Sequence, residues 1–339
     1  LNAATGYSSP VQVGANEWSV VAFSAIHGCG VKNDGTLWTW GRNSDGQLAQ
    51  NTAESTTYAV SSPIQVGSGI DWEYVSSGSE WSIALKTNGT LWGWGKNSQG
   101  QLGDGTTTNR SSPVQIGALS DWSQIASGDV HSVSIKTNGT LWTWGYNSDG
   151  QLGDGTTVNK SSPIQIGALS DWSQVSAGIR HTTAIKNNGT LWSWGLGSLG
   201  RLGDGTTVSK SSPIQIGALS DWSQVSCGSV HNLAIKTNGT LWAWGYNSFG
   251  ELGDGTTTDR SSPVQIGALS NWAQVAGGGL ASYAVKTDGT LWVWGFNNSG
   301  RLGDGTTTNR SSPVQIGALT GWDSSAKSTF SGTSGALKL

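Results

Sequence analysis

Four histidines stand at one position of a repeating sequence unit, where their imidazole nitrogens could bind a metal ion or move a proton. A metal site needs several ligand atoms within about 2.1 Å of one ion. Equivalent positions of neighbouring repeats are instead separated by roughly the 10 Å between packed sheets. We therefore predict no metal site, and we expect each histidine to be a structural strand residue bonded to nearby backbone. The histidines are His27, His131, His181 and His231, and the other two units have Trp81 and Ala281.

One aspartate per unit also recurs, in the string LGDGTT, and paired carboxylates could act as acid and base. Here each Asp precedes a Gly in a tight turn, where its side chain usually bonds to nearby backbone. No G-x-S-x-G nucleophile motif lies between a strand and a helix, and the GxGxxG pattern has no βαβ setting. We predict no catalytic residues, no enzyme activity and no cofactor. The aspartates are Asp104, Asp154, Asp204, Asp254 and Asp304.

Basic residues are spread in two series rather than gathered in a patch. A lysine such as Lys136 precedes each hairpin turn, and a Lys or Arg such as Arg110 precedes each SSP string. We expect them to be solvated or paired with the repeated acids. Only 12% of residues are charged and the net charge is −3, which argues against a nucleic-acid partner. The absence of an apolar run of about 20 residues predicts no membrane insertion.

The elements that carry these residues follow from the repeat itself. The 339 residues include 51 Gly and 20 Trp, and each of the seven Pro lies in an SSPVQ or SSPIQ string. After Pro63 the spacing is 50 residues, a period typical of a solenoid, propeller or array. Paired tryptophans share this register, and we assign them a structural role in packing between blades. They are Trp38, Trp40, Trp92, Trp94, Trp142, Trp144, Trp192, Trp194, Trp242, Trp244, Trp292 and Trp294.

Each unit is predicted to contain four short strands. In the fourth unit these are residues 172–178, 181–186, 189–195 and 213–217. Asn-Gly or Asp-Gly between the second and third strands predicts a hairpin with a type I′ turn. Four antiparallel strands per unit without helical periodicity predict an all-β propeller.

Two strings identify the family. GTLWxWG occurs in six units, and five carry WG-x-[NG]-x-x-G-x-LGDGTT. Over roughly residues 8–325 they resemble the repeats of the regulator of chromosome condensation family, bacterial or phage type. The resemblance implies a seven-bladed β-propeller. The family's chromatin and small-GTPase partners are not expected here, because the net charge is negative and no extra loop for nucleotide exchange is found.

Blade boundaries follow from the repeat register, with the whole chain, 1–339, as one propeller domain. One SSP strand is left over at the N-terminus and one leading strand at the C-terminus. Joining them would remove open sheet edges, so we predict a seventh four-stranded antiparallel blade closed by the N-terminal strand. The six complete blades cover 16–67, 70–117, 120–167, 170–217, 220–267 and 270–317, and the seventh combines 320–339 with 8–14.

The units differ mainly in their loops, which is the expected arrangement for a binding surface on a rigid scaffold. Large apolar residues in Gly-rich loops could form a hot-spot cluster; the alternative is that they fill space between blades. We take them as candidate ligand-binding residues. They are Tyr146, Leu196, Leu199, Tyr246, Phe249 and Phe296.

The function predicted from these features is a non-enzymatic structural or binding protein that presents variable loops to a protein partner. One alternative is a carbohydrate-binding lectin, in which tryptophans would stack on a glycan. Another is an inhibitor of a secreted enzyme, since a β-lactamase-inhibiting protein with a similar fold exists. Low charge and abundant Gly, Ser and Thr point to an extracellular, cell-surface or virion location, such as a phage appendage or a bacterial surface protein.

Overall fold

Each repeat folds into a four-stranded antiparallel sheet. The computed structural model describes residues 9, 18–52, 59–323, 327–328 and 337–338. The strands pair in chain order in all six sheets, and we number these sheets as blades 1 to 6. The result is an all-β propeller with four-stranded antiparallel blades.

Strand boundaries repeat from blade to blade. The first strands are Trp18–Phe23, Trp72–Ser77, Trp122–Ser127, Trp172–Ala177, Trp222–Cys227 and Trp272–Gly277. The second strands are His27–Lys32, Trp81–Lys86, His131–Lys136, His181–Lys186, His231–Lys236 and Ala281–Lys286. The third strands are Leu37–Arg42, Leu91–Gly95, Leu141–Gly145, Leu191–Gly195, Leu241–Gly245 and Leu291–Gly295. The fourth strands are Ala59–Gln65, Arg110–Gln115, Lys160–Gln165, Lys210–Gln215, Arg260–Gln265 and Arg310–Gln315.

The hairpin between the second and third strands differs from the predicted type I′ turn. In blade 4 the N–H of Gly189 donates to the carbonyl of Lys186 at 2.8 Å, and Gly189 alone in this turn has a positive φ, +77°. The turn is therefore a longer loop that ends in a left-handed glycine. Asn188 closes it by accepting the N–H of Thr190 at 3.1 Å. A Cβ on Gly189 would lie 2.3 Å from the carbonyl oxygen of Ser220 in the next connection, so only Gly fits here.

First strands of adjacent blades lie against each other at the centre of the propeller. Side chains join them: Gln174 Oε1 accepts the N–H of Val225 at 2.7 Å, and Ser176 Oγ accepts the N–H of Cys227 at 2.9 Å. A cavity of about 40 Å³ is lined by first-strand residues of blades 2 to 6.

Hydrophobic clusters lie between neighbouring blades. One cluster combines Val133 and Leu141 of blade 3 with Trp172, Val175 and Trp194 of blade 4. The second tryptophan of each pair in blades 2 to 6 is fully buried. Its indole N–H donates to a loop carbonyl of the preceding blade, as Trp194 does to Gln151 at 3.0 Å. Each blade is thereby fixed to the one before it.

The prediction of seven blades is wrong, because the described residues form six four-stranded blades. After blade 6, Trp322–Asp323 pairs only with Leu337–Lys338. Lys327–Ser328 pairs in parallel with the first strand of blade 1, which makes that sheet five-stranded. Residues 320–339 lack the GTLWxWG string that builds the hairpin between second and third strands, and their described strands form only this two-stranded sheet and the strand added to blade 1. The predicted N-terminal strand at 8–14 lies, apart from Ser9, outside the described residues.

Candidate binding surface

The loops of each blade emerge at two opposite faces. Turns between first and second strands share one face with the long loops between third and fourth strands, because the strands alternate in direction. We call this the loop face. The hairpins between second and third strands share the other face with the connections to the next blade, and we call it the hairpin face.

Backbone hydrogen bonds bring the variable positions of the loop face together. The residue after Trp-Gly donates its N–H to the residue preceding the second strand, as Tyr146 does to Val130 at 2.9 Å and Phe296 does to Leu280 at 2.8 Å. The two variable loops of a blade therefore form one continuous surface. All six candidate ligand-binding residues lie on this face.

Three of the candidate residues make direct ring contacts across blades 5 and 6. The ring centroids of Tyr246 and Phe249 are 6.2 Å apart, and those of Phe249 and Phe296 are 4.6 Å apart. Leu196 and Leu199 lie on the loop of blade 4, the preceding blade. Leu199 is 38% exposed and has a φ of +63°, a conformation that is strained for a branched side chain. We call these five residues the apolar patch.

The sixth candidate, Tyr146, lies in a polar setting instead. The guanidinium of Arg180 stacks over its ring at 5.5 Å from the centroid and pairs with Asp149 at 3.2 Å. Lys96 and Glu80 form a further ion pair on blade 2. Charged side chains thus lie on blades 2 to 4 of the loop face, and the apolar patch lies on blades 4 to 6.

The framework beneath these side chains is rigid because an Asn at the centre of the long loop is fully bonded. Asn97 donates to Asp104 at 3.0 Å and to the carbonyl of Thr108 at 3.1 Å, and it accepts the N–H of Leu102 at 2.9 Å. Asp104 also accepts from Arg110 at 2.7 Å. Burial alone would raise the pKa of Asp104, but the bonds from Thr106 and Arg110 outweigh burial and lower it.

One position at the base of the loops changes from blade to blade, although it is not among the six candidate residues predicted from the sequence. It is Gln in blades 1 to 3, where the amide oxygen accepts a loop N–H, and a charged residue in blades 4 to 6. Burial raises the pKa of Glu251 to about 7 and lowers that of Arg201 to about 10. Simple alignment of the units would have found this set, which is Gln47, Gln101, Gln151, Arg201, Glu251 and Arg301.

On the hairpin face, the repeated lysines of blades 2 to 5 pair with the repeated aspartates, as expected, but they are buried or half-buried rather than solvated. Lys136 is only 5% exposed, and its ammonium lies 4.7 Å from the ring centre of Trp122 and 4.4 Å from that of Trp142. Asp121 pairs with it at 3.1 Å. Trp142 is half-buried, with its N–H bonded to Thr140 at 2.9 Å. The ammonium thus covers one face of Trp142, whose side chain stays partly exposed.

The hairpin face also carries an exposed apolar residue in each connection between blades. The five leucines of this set lie two residues after the same Gly of the repeated string, and Ile70 lies three residues after it, so their recurrence is a property of the framework. They serve as a natural comparison for the apolar patch. They are Ile70, Leu119, Leu169, Leu219, Leu269 and Leu319.

The buried histidines bond to neighbouring blades rather than to backbone as expected. His131 Nε2 lies 3.0 Å from Thr182 Oγ1, and His181 Nε2 lies 2.9 Å from Asn232 Oδ1. Burial lowers the pKa of His131 to about 3, so its imidazole is neutral at pH 7.

In the part of the chain that the structure describes, no group of three or more His, Cys, Asp or Glu could hold a metal ion. Within those residues, no helix has the length and hydropathy needed to cross a membrane.

These features define a β-propeller of tandem 50-residue repeats with a two-part loop face. A family model described as the RCC1-like domain matches residues 1–223. Models of the regulator of chromosome condensation (RCC1) repeat match residues 222–251, 238–285 and 288–332. The chain belongs to the regulator of chromosome condensation repeat family, which confirms the resemblance seen in its repeat strings.

Related proteins match this chain over only a small part of their own length. The probable E3 ubiquitin-protein ligase HERC3 of Homo sapiens is 36% identical over 93 residues, which are 27% of this chain and 8% of that protein. The ultraviolet-B receptor UVR8 of Arabidopsis thaliana is 35% identical over 85 residues, 25% of this chain and 19% of that protein. The chain thus matches less than a fifth of the length of either relative.

Solved structures support the same fold. Human WBSCR16 is similar with a TM-score of 0.81 and 22% identity, over 91% of this chain and 85% of that chain. Yeast RCC1 (Prp20), solved with Kap60 bound to it, is similar with a TM-score of 0.76 and 20% identity, over 87% and 74% of the two chains. At this level of identity the likeness shows the fold alone.

Proposed function

We propose that this protein is a non-enzymatic scaffold whose loop face binds a protein partner through the apolar patch. The observation that carries the proposal is the contact series Tyr246–Phe249–Phe296, continued on the neighbouring loop by Leu196 and Leu199. Aromatic side chains held in place by a rigid framework lose little entropy on binding, which is why they dominate interface hot spots.

The charged part of the loop face gives the partner an orientation. A partner seated on the apolar patch would extend towards blades 2 and 3, where the Lys96–Glu80 pair lies on blade 2 and the Arg180–Asp149 pair joins blades 3 and 4. Exposed pairs of this kind contribute more to specificity and association rate than to affinity. We therefore assign affinity to the patch and orientation to the ion pairs.

The named relatives support the general class. Yeast Prp20 has been solved with Kap60, and a second Prp20p structure concerns its binding to Gsp1p and histones. From these two structures we extend to the present chain only that a propeller of this kind binds proteins. A secreted enzyme is one such partner, so the inhibitor hypothesis uses the same surface.

We further propose an extracellular, cell-surface or virion location, supported by the low charge content. Immunogold labelling of intact cells and particles tests this location.

The proposal is tested by photo-crosslinking from single positions. A benzoylphenylalanine at Phe249 should give a discrete protein adduct in extract of the producing cells, whereas one at Leu269 on the hairpin face should not. Phe249→Ala and Phe296→Ala should each weaken binding of the partner protein identified in that adduct by at least roughly tenfold. Leu269→Ala is the matched control and should leave capture unchanged.

Two outcomes would overturn the proposal. One is an equal adduct from both faces, or an adduct from Leu269 alone. The other is binding on a glycan array that persists in Phe249→Ala, which would favour the lectin alternative.

A further inference from the structure

A buried carboxyl group lies beneath the apolar patch with only one of its oxygens satisfied. Glu251 is fully buried, and its Oε2 accepts the N–H of Phe249 at 2.9 Å. Its Oε1 is buried and makes no hydrogen bond within the described residues. In blade 2 the equivalent residue is Gln101, whose amide oxygen accepts the N–H of Gln99 at 2.8 Å. The repeat thus supplies a neutral side chain of the same shape for this position.

Glu251 is also part of the junction with blade 6. Its backbone carbonyl accepts the indole N–H of Trp294 at 2.8 Å and the hydroxyl of Ser282 at 2.6 Å. Glu251 therefore connects the two parts of the patch: its side chain bonds to the loop that carries Phe249, and its backbone bonds to the blade that carries Phe296.

The ionisable groups around this site do not neutralise a negative charge. Arg310 on the outer strand of blade 6 pairs with Asp304 at 2.7 Å. Arg301 on the blade 6 loop stacks over Phe296 at 4.6 Å, and Asp259 adds a repulsive charge. The packed elements also carry the phenols of Tyr246 and Tyr283, the Asp254–Arg260 pair, Arg201 on the loop of blade 4, and His231, whose imidazole bonds to the same Ser282 that bonds to Glu251.

We propose that Glu251 makes the apolar patch proton-dependent: the neutral carboxyl holds the loop of residues 245–255 closed with Phe249 against Phe296, and ionisation opens it. The consequence for partner binding rests on the proposed function of the loop face, but the loop transition itself does not. A protonated carboxyl is much less costly to bury than an unpaired carboxylate, which gains from reaching water.

The direction of the pH dependence follows from burial. Burial raises the pKa of Glu251 from 4.5 to about 7 in the closed loop. Both forms of the loop are protonated below pH 4.5, so the closed loop is most stable there. Its stability falls as pH rises from about 4.5 to 7 and is constant above that. Partner binding through the patch should weaken over the same interval.

Hydrogen exchange of the loop amides tests this without any partner. After correction for the intrinsic pH dependence of exchange, the protection of Gly250, Leu252 and Gly253 should fall between pH 5 and pH 8 in the wild type, by at most roughly 70-fold. Glu251→Gln should remove this fall. Glu73→Gln, the same change at an exposed site, is the control and should leave it intact. The pH dependence contributed by the buried histidines is common to all three proteins.

A loop whose protection falls equally in wild type and Glu251→Gln would overturn the proposal. Should that variant not fold, Gln101→Glu decides. It should create a new pH-dependent loss of protection at Gly100 and Leu102, and unchanged protection there would equally overturn the inference. If the loop opens as expected but photo-crosslinking from Phe249 gives no adduct at pH 5 or pH 8, the proposed function fails while the transition stands.

Discussion

At the scale of a single residue, the buried histidines His131 and His181 each have one defined tautomer. Thr182 Oγ1 donates its proton to the carbonyl of Gln151 at 3.0 Å. It must therefore accept from His131 Nε2, which carries the proton. The same logic applies to His181. The amide nitrogen of Asn232 donates to the backbone carbonyl of Arg201, so the amide oxygen is the atom that accepts from His181. The histidines act as neutral donors that connect blades.

His131→Ala should destabilise the fold by about 3 kcal/mol at pH 7.5, through a cavity and an unpaired Thr182 acceptor. The loss should shrink by about 2 kcal/mol at pH 5. The reason is that the lowered pKa of His131, about 3 in the folded state against 6.5, makes wild-type stability fall as pH drops below 6.5. Urea unfolding at both pH values measures this. Ala281 shows that Ala is compatible with the position, and an equal loss at both pH values would contradict the argument.

Leu199 combines exposure with backbone strain, a combination that the fold itself does not require. Leu199→Gly should raise the free energy of unfolding by about 1 kcal/mol, because Gly adopts a φ of +63° without a steric penalty. The same change should weaken partner capture by the apolar patch. Ser299→Gly, at the equivalent position of blade 6 where φ is not positive, should not stabilise. A neutral or destabilising Leu199→Gly in thermal unfolding would show that the conformation is not strained.

At the scale of the element, the loop between third and fourth strands differs in how firmly each blade fixes it. Blades 2, 3, 5 and 6 have a central Asn, whereas blade 4 has Gly197 and a short 3₁₀ turn, Ser198–Gly200. Asp104 accepts from Asn97, Thr106 and Arg110. In blade 4 the equivalent aspartate bonds to Thr206 and pairs with Lys210 only at 3.6 Å.

Asp104→Ala should therefore cost about 3 kcal/mol, because several buried donors lose their acceptor. Asp204→Ala should cost about 1 kcal/mol, since fewer donors depend on it. Denaturant unfolding of the two variants gives the difference. Equal losses would mean that the Asn network adds no stability to the loop.

Much of the element structure was predictable from local sequence. The predicted strand 181–186 coincides with His181–Lys186, because alternation and the Asn-Gly turn determine both of its ends. The predicted fourth strand, 213–217, begins three residues earlier, at Lys210, since Pro213 occupies a strand position that needs no N–H donor. The candidate site was less predictable. The stacking of Arg180 on Tyr146 and the contact of Phe249 with Phe296 depend on the angle between blades, which no local pattern contains.

At the scale of the whole molecule, the number of blades was the feature that repeat counting could not settle. Seven SSP strings and seven leading tryptophans suggest seven blades, but a blade also needs the hairpin built by GTLWxWG, of which there are six. The described C-terminal residues instead form a two-stranded sheet, Trp322–Asp323 with Leu337–Lys338, and one further short strand. This strand, Lys327–Ser328, lies beside the first strands of both blade 1 and blade 6. A strand of two residues thus links the first blade to the last.

Removal of residues 324–339 should consequently weaken the whole propeller rather than one blade. The deletion leaves the edge of the blade 1 first strand at Ala22 and Phe23 unpaired, and an unpaired edge favours association with another chain. We expect a thermal midpoint lower by ~5 °C and a concentration-dependent rise in light scattering. Because the blades are packed in sequence, protection from hydrogen exchange should fall first in blades 1 and 6 and least in blades 3 and 4. A truncated protein that stays monomeric, with an unchanged midpoint and uniform protection, would show that the C-terminal segment is not what holds the ends of this six-bladed propeller together.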